Sequence, residues 1–288
     1  MARKVDAAYL LAPLAMELRS KGVPLKVVAL GHRSGHVVMV RADSAIRDFR
    51  DLRGKVVAVP SRFATQQLII WKLMKDAHMT WSDFQEVEMN PPDMPAALAS
   101  HVIDAYATGE PFGAAAEMAG YGRVLAMTRD VWPTYFCCVL TVREEFLREH
   151  RPIVQQLVTE ILAAGRWLDA SMSNRFMGAE MAARPDYFNQ KPELIKFVLS
   201  HPMDRVTYTE LVPLPEEFDD LMKLALEAGV LKRPVFAREY VDDSLAKAAL
   251  EAERRAGGPP KVDPTIRTGS GQMGGMKMDE AQMKGMGR

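Results

Sequence analysis

The run Pro60-Ser61-Arg62-Phe63-Ala64-Thr65-Gln66-Gln67 gathers two hydroxyls, a guanidinium and two amides in eight residues. A buried-strand pattern over 55–59 leads into it, and a helical pattern over 67–74 leads out. The spacing predicts a strand, a tight turn and a helix start. A helix start offers unpaired backbone N–H groups and the positive end of the macrodipole, so it can seat a small anion or carboxylate. Ser61 and Thr65 can cap it, and Arg62 can clamp an anion bidentately. An ordinary strand-to-helix turn with an exposed arginine fits the same residues.

Two further clusters carry chemistry. His32 and His36 flank Arg33-Ser34-Gly35, which reads either as a solvated turn or as a turn that delivers His36 to a ligand. Cys137 and Cys138 are the only cysteines. Adjacent residues of a strand point to opposite faces, so a disulfide between them would need a distorted peptide. The six histidines show no metal-ligand spacing toward them. Both read as buried packing thiols. A Cys–His nucleophile would need one of them beside a histidine in space, and no motif places a base there. There is no Gly-x-Ser-x-Gly elbow, no His-Glu-x-x-His and no phosphate-binding glycine loop. The acid pairs Asp219-Asp220 and Asp242-Asp243 fall on helical, exposed faces. No catalytic residue and no metal or cofactor is expected.

The elements that must position these groups alternate along the first half. Strand patterns lie near 5–9, 25–30, 36–40, 55–59, 86–89, 102–107, 123–127 and 136–142, with helical patterns between several of them. Alternation of this kind predicts an α/β sheet with parallel pairing. Asp93 is a candidate cap for a helix over 94–100, and Glu110-Pro111 opens the next helix, where Glu110 supplies an N-terminal charge. From Glu144 onward the pattern is mainly helical. In 152–169, Val154, Val158 and Leu162 run beside Ile153, Leu157, Ile161 and Leu168. Beyond residue 256 the pattern dissolves into glycine, lysine, glutamine and methionine, which predicts a disordered tail. Its thioethers suit copper(I), at a large entropic cost of ordering.

Length and charge narrow the classes. The 288 residues fit one large domain or two small ones. With 37 basic and 37 acidic side chains, the chain lacks the electrostatic footprint of a nucleic-acid or anionic-membrane binder. No window approaches the roughly 20 apolar residues of a membrane span. Asp6 interrupts the place where a leader's apolar region would start, which predicts an unexported chain if the start is genuine.

Several stretches, taken in order, resemble one family. They are Asp6-Ala7-Ala8-Tyr9-Leu10-Leu11-Ala12-Pro13-Leu14-Ala15-Met16, then Asp51-Leu52-Arg53-Gly54-Lys55-Val56-Val57-Ala58-Val59-Pro60, then Asn90-Pro91-Pro92-Asp93-Met94. Ile103-Asp104-Ala105-Tyr106-Ala107-Thr108-Gly109-Glu110-Pro111-Phe112 and Gly229-Val230-Leu231-Lys232-Arg233-Pro234-Val235 continue the set. It resembles the solute-binding proteins of ABC importers for nitrate, sulfonates and bicarbonate, over about residues 5–250. The resemblance implies a type II periplasmic-binding-protein fold: two α/β lobes around a cleft, joined by crossing strands near 37–41 and 138–142. Lobe 1 would comprise 1–41 and 143–255, lobe 2 would comprise 42–142, and 256–288 would be the tail.

Family members carry a leader and about two further βα units before the Asp6 motif, so the resemblance implies an N-terminally truncated lobe 1 with an exposed sheet edge. The expected ligand wall is Ala12, Pro13, His36, Ser61, Arg62, Phe63, Thr65, Gln66, Glu110, Phe112 and Cys138. Phe63, Phe112, Tyr135 and Phe136 can sandwich a flat solute or simply pack. Where the nitrate and bicarbonate branches place a glutamine, a histidine and a lysine, this chain places His36, Gln66 and Cys138. Loss of the lysine removes a fixed charge for a small anion and points to a larger or less charged solute. The implied role is the substrate-binding component of an ABC transporter, a monomer that hands a small molecule to permease and ATPase subunits. It would be periplasmic or membrane-associated by resemblance, and cytoplasmic if the start is genuine. Two alternatives stay open: a thiamine-pyrimidine-synthase-like enzyme with His32 or His36 as its reactive histidine, and a cytoplasmic ligand-sensing module of a transporter.

Overall fold

The computed structural model describes residues 5–258. The tail predicted over 256–288 falls almost wholly outside that range. Two sheets organise the described chain. A three-stranded antiparallel sheet, order β1-β9-β2, joins β1 (Ala7–Leu11), β2 (Leu25–Leu30) and β9 (Cys138–Arg143). A two-residue strand, β3 (Arg33–Ser34), leads from it into β4 (His36–Arg41). A five-stranded sheet, order β6-β5-β7-β4-β8, joins β4 to β5 (Val56–Val59), β6 (Gln85–Glu88), β7 (Ala105–Gly109) and β8 (Gly122–Met127). A last short strand, β10 (Val206–Thr207), pairs with β3.

The α/β class is as the alternation predicts, but the pairing is mixed. β5 runs parallel to β6 and β7, whereas β4 runs antiparallel to β7 and β8. The expected crossings are also displaced. All of β4 is bonded within the five-stranded sheet and all of β9 within the other. The chain therefore crosses between sheets at Gly31–Gly35 and just before Cys138. Backbone bonds tie the two crossings together: Gly31 N–H donates to Cys138 O (2.7 Å) and Ser34 N–H to Tyr135 O (3.2 Å).

Period-two alternation explains both faces of the larger sheet. Val37, Met39, Ala58 and Tyr106 point to one core, with α3 (Met94–Ala99) and α4 (Phe112–Met118) over it. Val38, Val40, Val57, Val59, Ala105 and Ala107 point to the other, beneath α2 (Thr65–Asp76). α5 (Thr128–Val131) follows β8. The three-stranded sheet packs with α1 (Ala12–Ser20), α7 (Arg151–Asp169), α10 (Pro215–Glu227) and α11 (Ser244–Arg255), with α6 (Glu144–Glu149) at its edge. Val154, Val158 and Leu162 form the buried stripe of α7, whereas Ile153 and Leu157, of the face the pattern puts first, are exposed. Among the described residues, β1 is bonded on one side only, by β9.

Two predicted caps are not made. The N-cap of α2 is Ala64, and the Thr65 hydroxyl turns inward to Cys137 O (3.5 Å), while Ser61 Oγ accepts from Phe63 N–H (3.2 Å). Asp93 makes no side-chain cap on α3.

α8 (Met172–Ala182) and α9 (Pro192–Val198) lie against α4, through a small core of Ala114, Ala179, Val198, Leu199 and Val206. Gly165 lets α7 approach the backbone of Tyr208, which follows β10. A Cβ there would sit 2.2 Å from Tyr208 O. Gly→Ala in a helix interior ordinarily stabilises by about 1 kcal/mol. Gly165→Ala is expected to do the reverse, costing about 1–3 kcal/mol through overpacking. Urea unfolding reads the sign, and a stabilised variant would contradict this packing.

Candidate functional site

A cavity of about 360 Å³ opens where the ends of β4 and β7 face α7, α8 and α9. His32, Gly35, His36, Gly109 and Glu110 form its sheet side. Trp167, Leu168, Met181, Phe188, Ile195 and Tyr208 supply an apolar wall. Among the described residues, no Lys or Arg lines it.

His36 begins β4 and is buried, which corrects the solvated-turn alternative: Arg33, Ser34 and His36 are all under a tenth exposed. Arg33 is held by Glu210 O (2.8 Å), Thr134 O (3.0 Å) and the Glu217 carboxylate (2.9 Å). The His36 ring meets Tyr135 edge-on, with centroids 5.2 Å apart, and stacks on His32 at 5.8 Å. Burial, then the neighbouring His32, hold the His36 imidazole well below its ordinary pKa. His32 Nδ1, His36 Nδ1, Thr108 Oγ1 and Gln66 Oε1 are buried without a hydrogen-bond partner. Gly109 brings this group together, since a Cβ there would lie 3.0 Å from His36 Nε2 and 3.9 Å from Gln66 Nε2. Unpaired polar atoms beside an apolar chamber are what a ligand's polar end can satisfy.

Glu110 is at the rim, with its carboxylate already engaged. Arg205 donates to it through Nε (2.6 Å) and Ala114 N–H donates to it from the first turn of α4 (2.9 Å), the N-terminal role its place before a helix predicts. Arg205 also reaches Glu117 (2.9 Å) and is 1% exposed. Desolvation pushes the Glu110 carboxyl up, against the pull of Arg205. The pair joins the segment ahead of β10 to the larger sheet.

The predicted wall is brought together only in part. His36 and Glu110 line the cavity, and Gln66 stands behind Gly109. Ala12, Pro13, Thr65 and Cys138 collect at the neighbouring crossing, where Ala12 N–H donates to Cys137 O (2.9 Å). The start of α2 is buried there against Cys137 and does not line the chamber, so the anion seat read from 60–67 is not opened to it. Arg62 and Phe63 line a separate recess with Glu17, Trp81 and Glu86, and Arg62 lies over the Phe63 ring at 4.8 Å. Ser61 and Phe112 line neither, and the Phe112 carbonyl accepts from Tyr106 Oη (2.9 Å). Phe136 packs on Phe218 in the core (4.7 Å).

The cysteines depart furthest from expectation. Cys137 precedes β9, so strand alternation does not separate the pair, and the two Sγ atoms lie 3.4 Å apart. Cys137 is buried as predicted, but Cys138 is half-buried and has His32 as a neighbour. The contact with Cys138, then burial, hold the Cys137 thiol well above its ordinary pKa, whereas the contact with Cys137, then the one with His32, hold Cys138 below it. Spacing hid this cluster because about a hundred residues separate its members.

The family model described as NMT1-like family matches residues 1–183. The chain belongs to that family. A ligand-binding component of an ABC-type import system from Staphylococcus aureus, solved with zinc bound, is 30% identical to it. The likeness covers 85% of this chain and 81% of that one, at a TM-score of 0.75. The periplasmic nitrate-binding protein NrtA from Synechocystis shares the fold at 16% identity, covering 89% and 77%, with a TM-score of 0.77. So does the desulfurization enzyme DSZB, at 15% identity, covering 88% and 87%, with a TM-score of 0.64. The nitrate import ATP-binding protein NrtC of Synechocystis sp. is 25% identical over 67% of this chain. The chain spans 31% and 44% of the lengths of the two NrtC proteins it matches.

The depressed His36 value has a stability consequence. A buried neutral imidazole contributes fully above its unfolded pKa, and the contribution is lost as pH falls below it, while the unfolded chain takes up the proton. Stability should fall by up to about 1.4 kcal/mol per pH unit below about pH 6.5 on this account. His36→Gln should flatten that limb in urea unfolding at stepped pH. An unchanged limb would contradict the burial of a neutral ring.

Proposed function

We propose that the protein is the solute-binding component of an ABC-type import system and that it takes an organic solute with an apolar body. The observation that carries this reading is the cavity between the helices and the β4/β7 ends. At about 360 Å³ it has the size and the apolar-with-few-polar character of small-molecule sites. Membership of the NMT1-like family and the likeness to the S. aureus component support the transport role. Trp167, Phe188 and Tyr208 suit a flat or hydrocarbon group, and His32 and His36 offer the polar end. Among the described residues the lining offers nitrate no Lys or Arg.

On this reading the sheets belong to two lobes that close on the solute, because the closed state makes contacts the open state lacks. Permease and ATPase subunits are the partners, and the periplasmic side of a membrane is the site of work. Among the described residues no helix is long and apolar enough to cross a membrane. A second reading has its own observation. The matches to ATP-binding proteins of nitrate import favour a ligand-sensing module that regulates a transporter ATPase. Both readings share the cavity and differ in compartment.

A thermal-shift panel of nitrate, bicarbonate, alkyl and aryl sulfonates, organic acids and heterocycles tests the binding claim. A solute at 100 times its Kd stabilises by about 2.7 kcal/mol. The account expects an apolar-bodied member to do so and nitrate to do nothing. Trp167→Ala should weaken that solute at least about tenfold. A folded chain that responds to none, or to nitrate alone, would overturn the proposal. Recovery of the stabilising solute unchanged separates a binder from an enzyme on the same fold.

A further inference from the structure

The cluster His32–Cys137–Cys138 brings three ligand-capable side chains together at the edge of a core. One ligand-capable atom from each residue lies within 4.8 Å of the other two. We infer that these three side chains bind a thiophilic d10 metal ion, zinc(II) or copper(I), beside the solute cavity. The inference rests on this geometry and not on the transport reading.

The dimensions fit. A zinc–sulfur bond of about 2.3 Å at a tetrahedral angle places two thiolate sulfurs roughly 3.7 Å apart. The Sγ atoms stand at 3.4 Å, so a few tenths of an ångström suffices. The chain is braced for that geometry. Ala12 N–H holds the Cys137 carbonyl (2.9 Å) and Gly31 N–H holds the Cys138 carbonyl (2.7 Å). Gly31 is what allows the approach, since a Cβ there would lie 3.3 Å from Cys138 Cβ and 3.2 Å from the Tyr9 ring. His32 follows Gly31 directly and so arrives next to the sulfurs.

The donor set selects the metal class. Two thiolates and an imidazole are soft-to-borderline ligands, preferred by zinc(II) and copper(I) over magnesium or calcium. Three protein ligands leave a fourth position, as in zinc sites that keep an exchangeable group. His32 also lines the cavity, which sets the cluster at its edge. Binding converts thiol to thiolate and so releases protons to solvent.

Cobalt(II) is the spectroscopic probe, added to the reduced full-length protein. The expected result is one ion per chain with a thiolate-to-cobalt charge-transfer band, which zinc(II) then bleaches by displacement. Cys138→Ser should abolish the band, and His32→Gln should weaken zinc(II) at least tenfold in competition with a chromophoric chelator. Copper(I), titrated against its own chelator, tells which of the two ions the site prefers. Methionines elsewhere in the chain cannot produce the thiolate band, so their binding is not mistaken for this site. Circular dichroism checks that each variant is folded. A second readout needs no variant: saturating zinc(II) should protect Cys137 and Cys138 from alkylation in the native protein. Zinc(II) and copper(I) affinities equal in wild type and Cys138→Ser, or alkylation unaffected by zinc(II), would overturn the inference.

Discussion

The molecule turns on the burial of Arg33 in the crossing between its sheets. Its guanidinium is bonded to the Glu210 carbonyl, the Thr134 carbonyl and the Glu217 carboxylate, so it joins both crossings to α10. An arginine this buried must satisfy its donors or carry several kcal/mol of desolvation cost. That requirement fixes residues 31–36 closely. Gly35, at φ +82°, then turns the chain so that its carbonyl accepts from Glu110 N–H and its N–H donates to Arg205 O. His32 is left on one side of the turn and His36 on the other, and both reach the same cavity.

The Arg205 contacts complete the enclosure. Its buried guanidinium meets the buried Glu110 and the half-buried Glu117, while its backbone carbonyl meets Gly35. A buried pair of this kind contributes little against an apolar substitute, yet removing one partner strands the other charge. Its value here is positional. It sets how closely α8 and α9 approach α4, and so how much room remains beside His36. The carboxylate that looks most like a ligand group in the sequence is thereby occupied by the protein itself.

Local pattern made much of this legible. β2 falls where hydrophobic periodicity places it, because it lies over a continuous core. The ordered motifs from Asp6 to Val235 were enough to identify the fold. What the pattern could not show is which side chains meet across long separations. Ser61, Arg62 and Phe63 are close in sequence to a helix start, yet the turn of the chain sends Arg62 and Phe63 to another recess. Trp167 and Leu168 stand three and four residues after Ala164, an apolar face beside the core stripe whose purpose becomes visible only when α8 and α9 are in place. Adjacent cysteines suggested opposite faces, and that rule failed because β9 begins two residues later than the strand pattern predicts, which leaves Cys137 outside it.

The proposed capture of a small organic molecule rests on the chamber, the orphaned polar atoms near Gly109 and the family membership. Tryptophan offers the most direct check, because the chain has four: Trp71, Trp81, Trp132 and Trp167. Trp167 lines the proposed chamber and Trp81 lines the recess that holds Arg62 and Phe63. In protein labelled with 5-fluorotryptophan, fluorine NMR resolves each ring once single Trp→Phe variants assign the signals. A stabilising solute is predicted to move the Trp167 resonance and leave Trp81 in place. Movement of Trp81 with Trp167 unchanged would contradict the account and relocate the site to the Arg62–Phe63 recess.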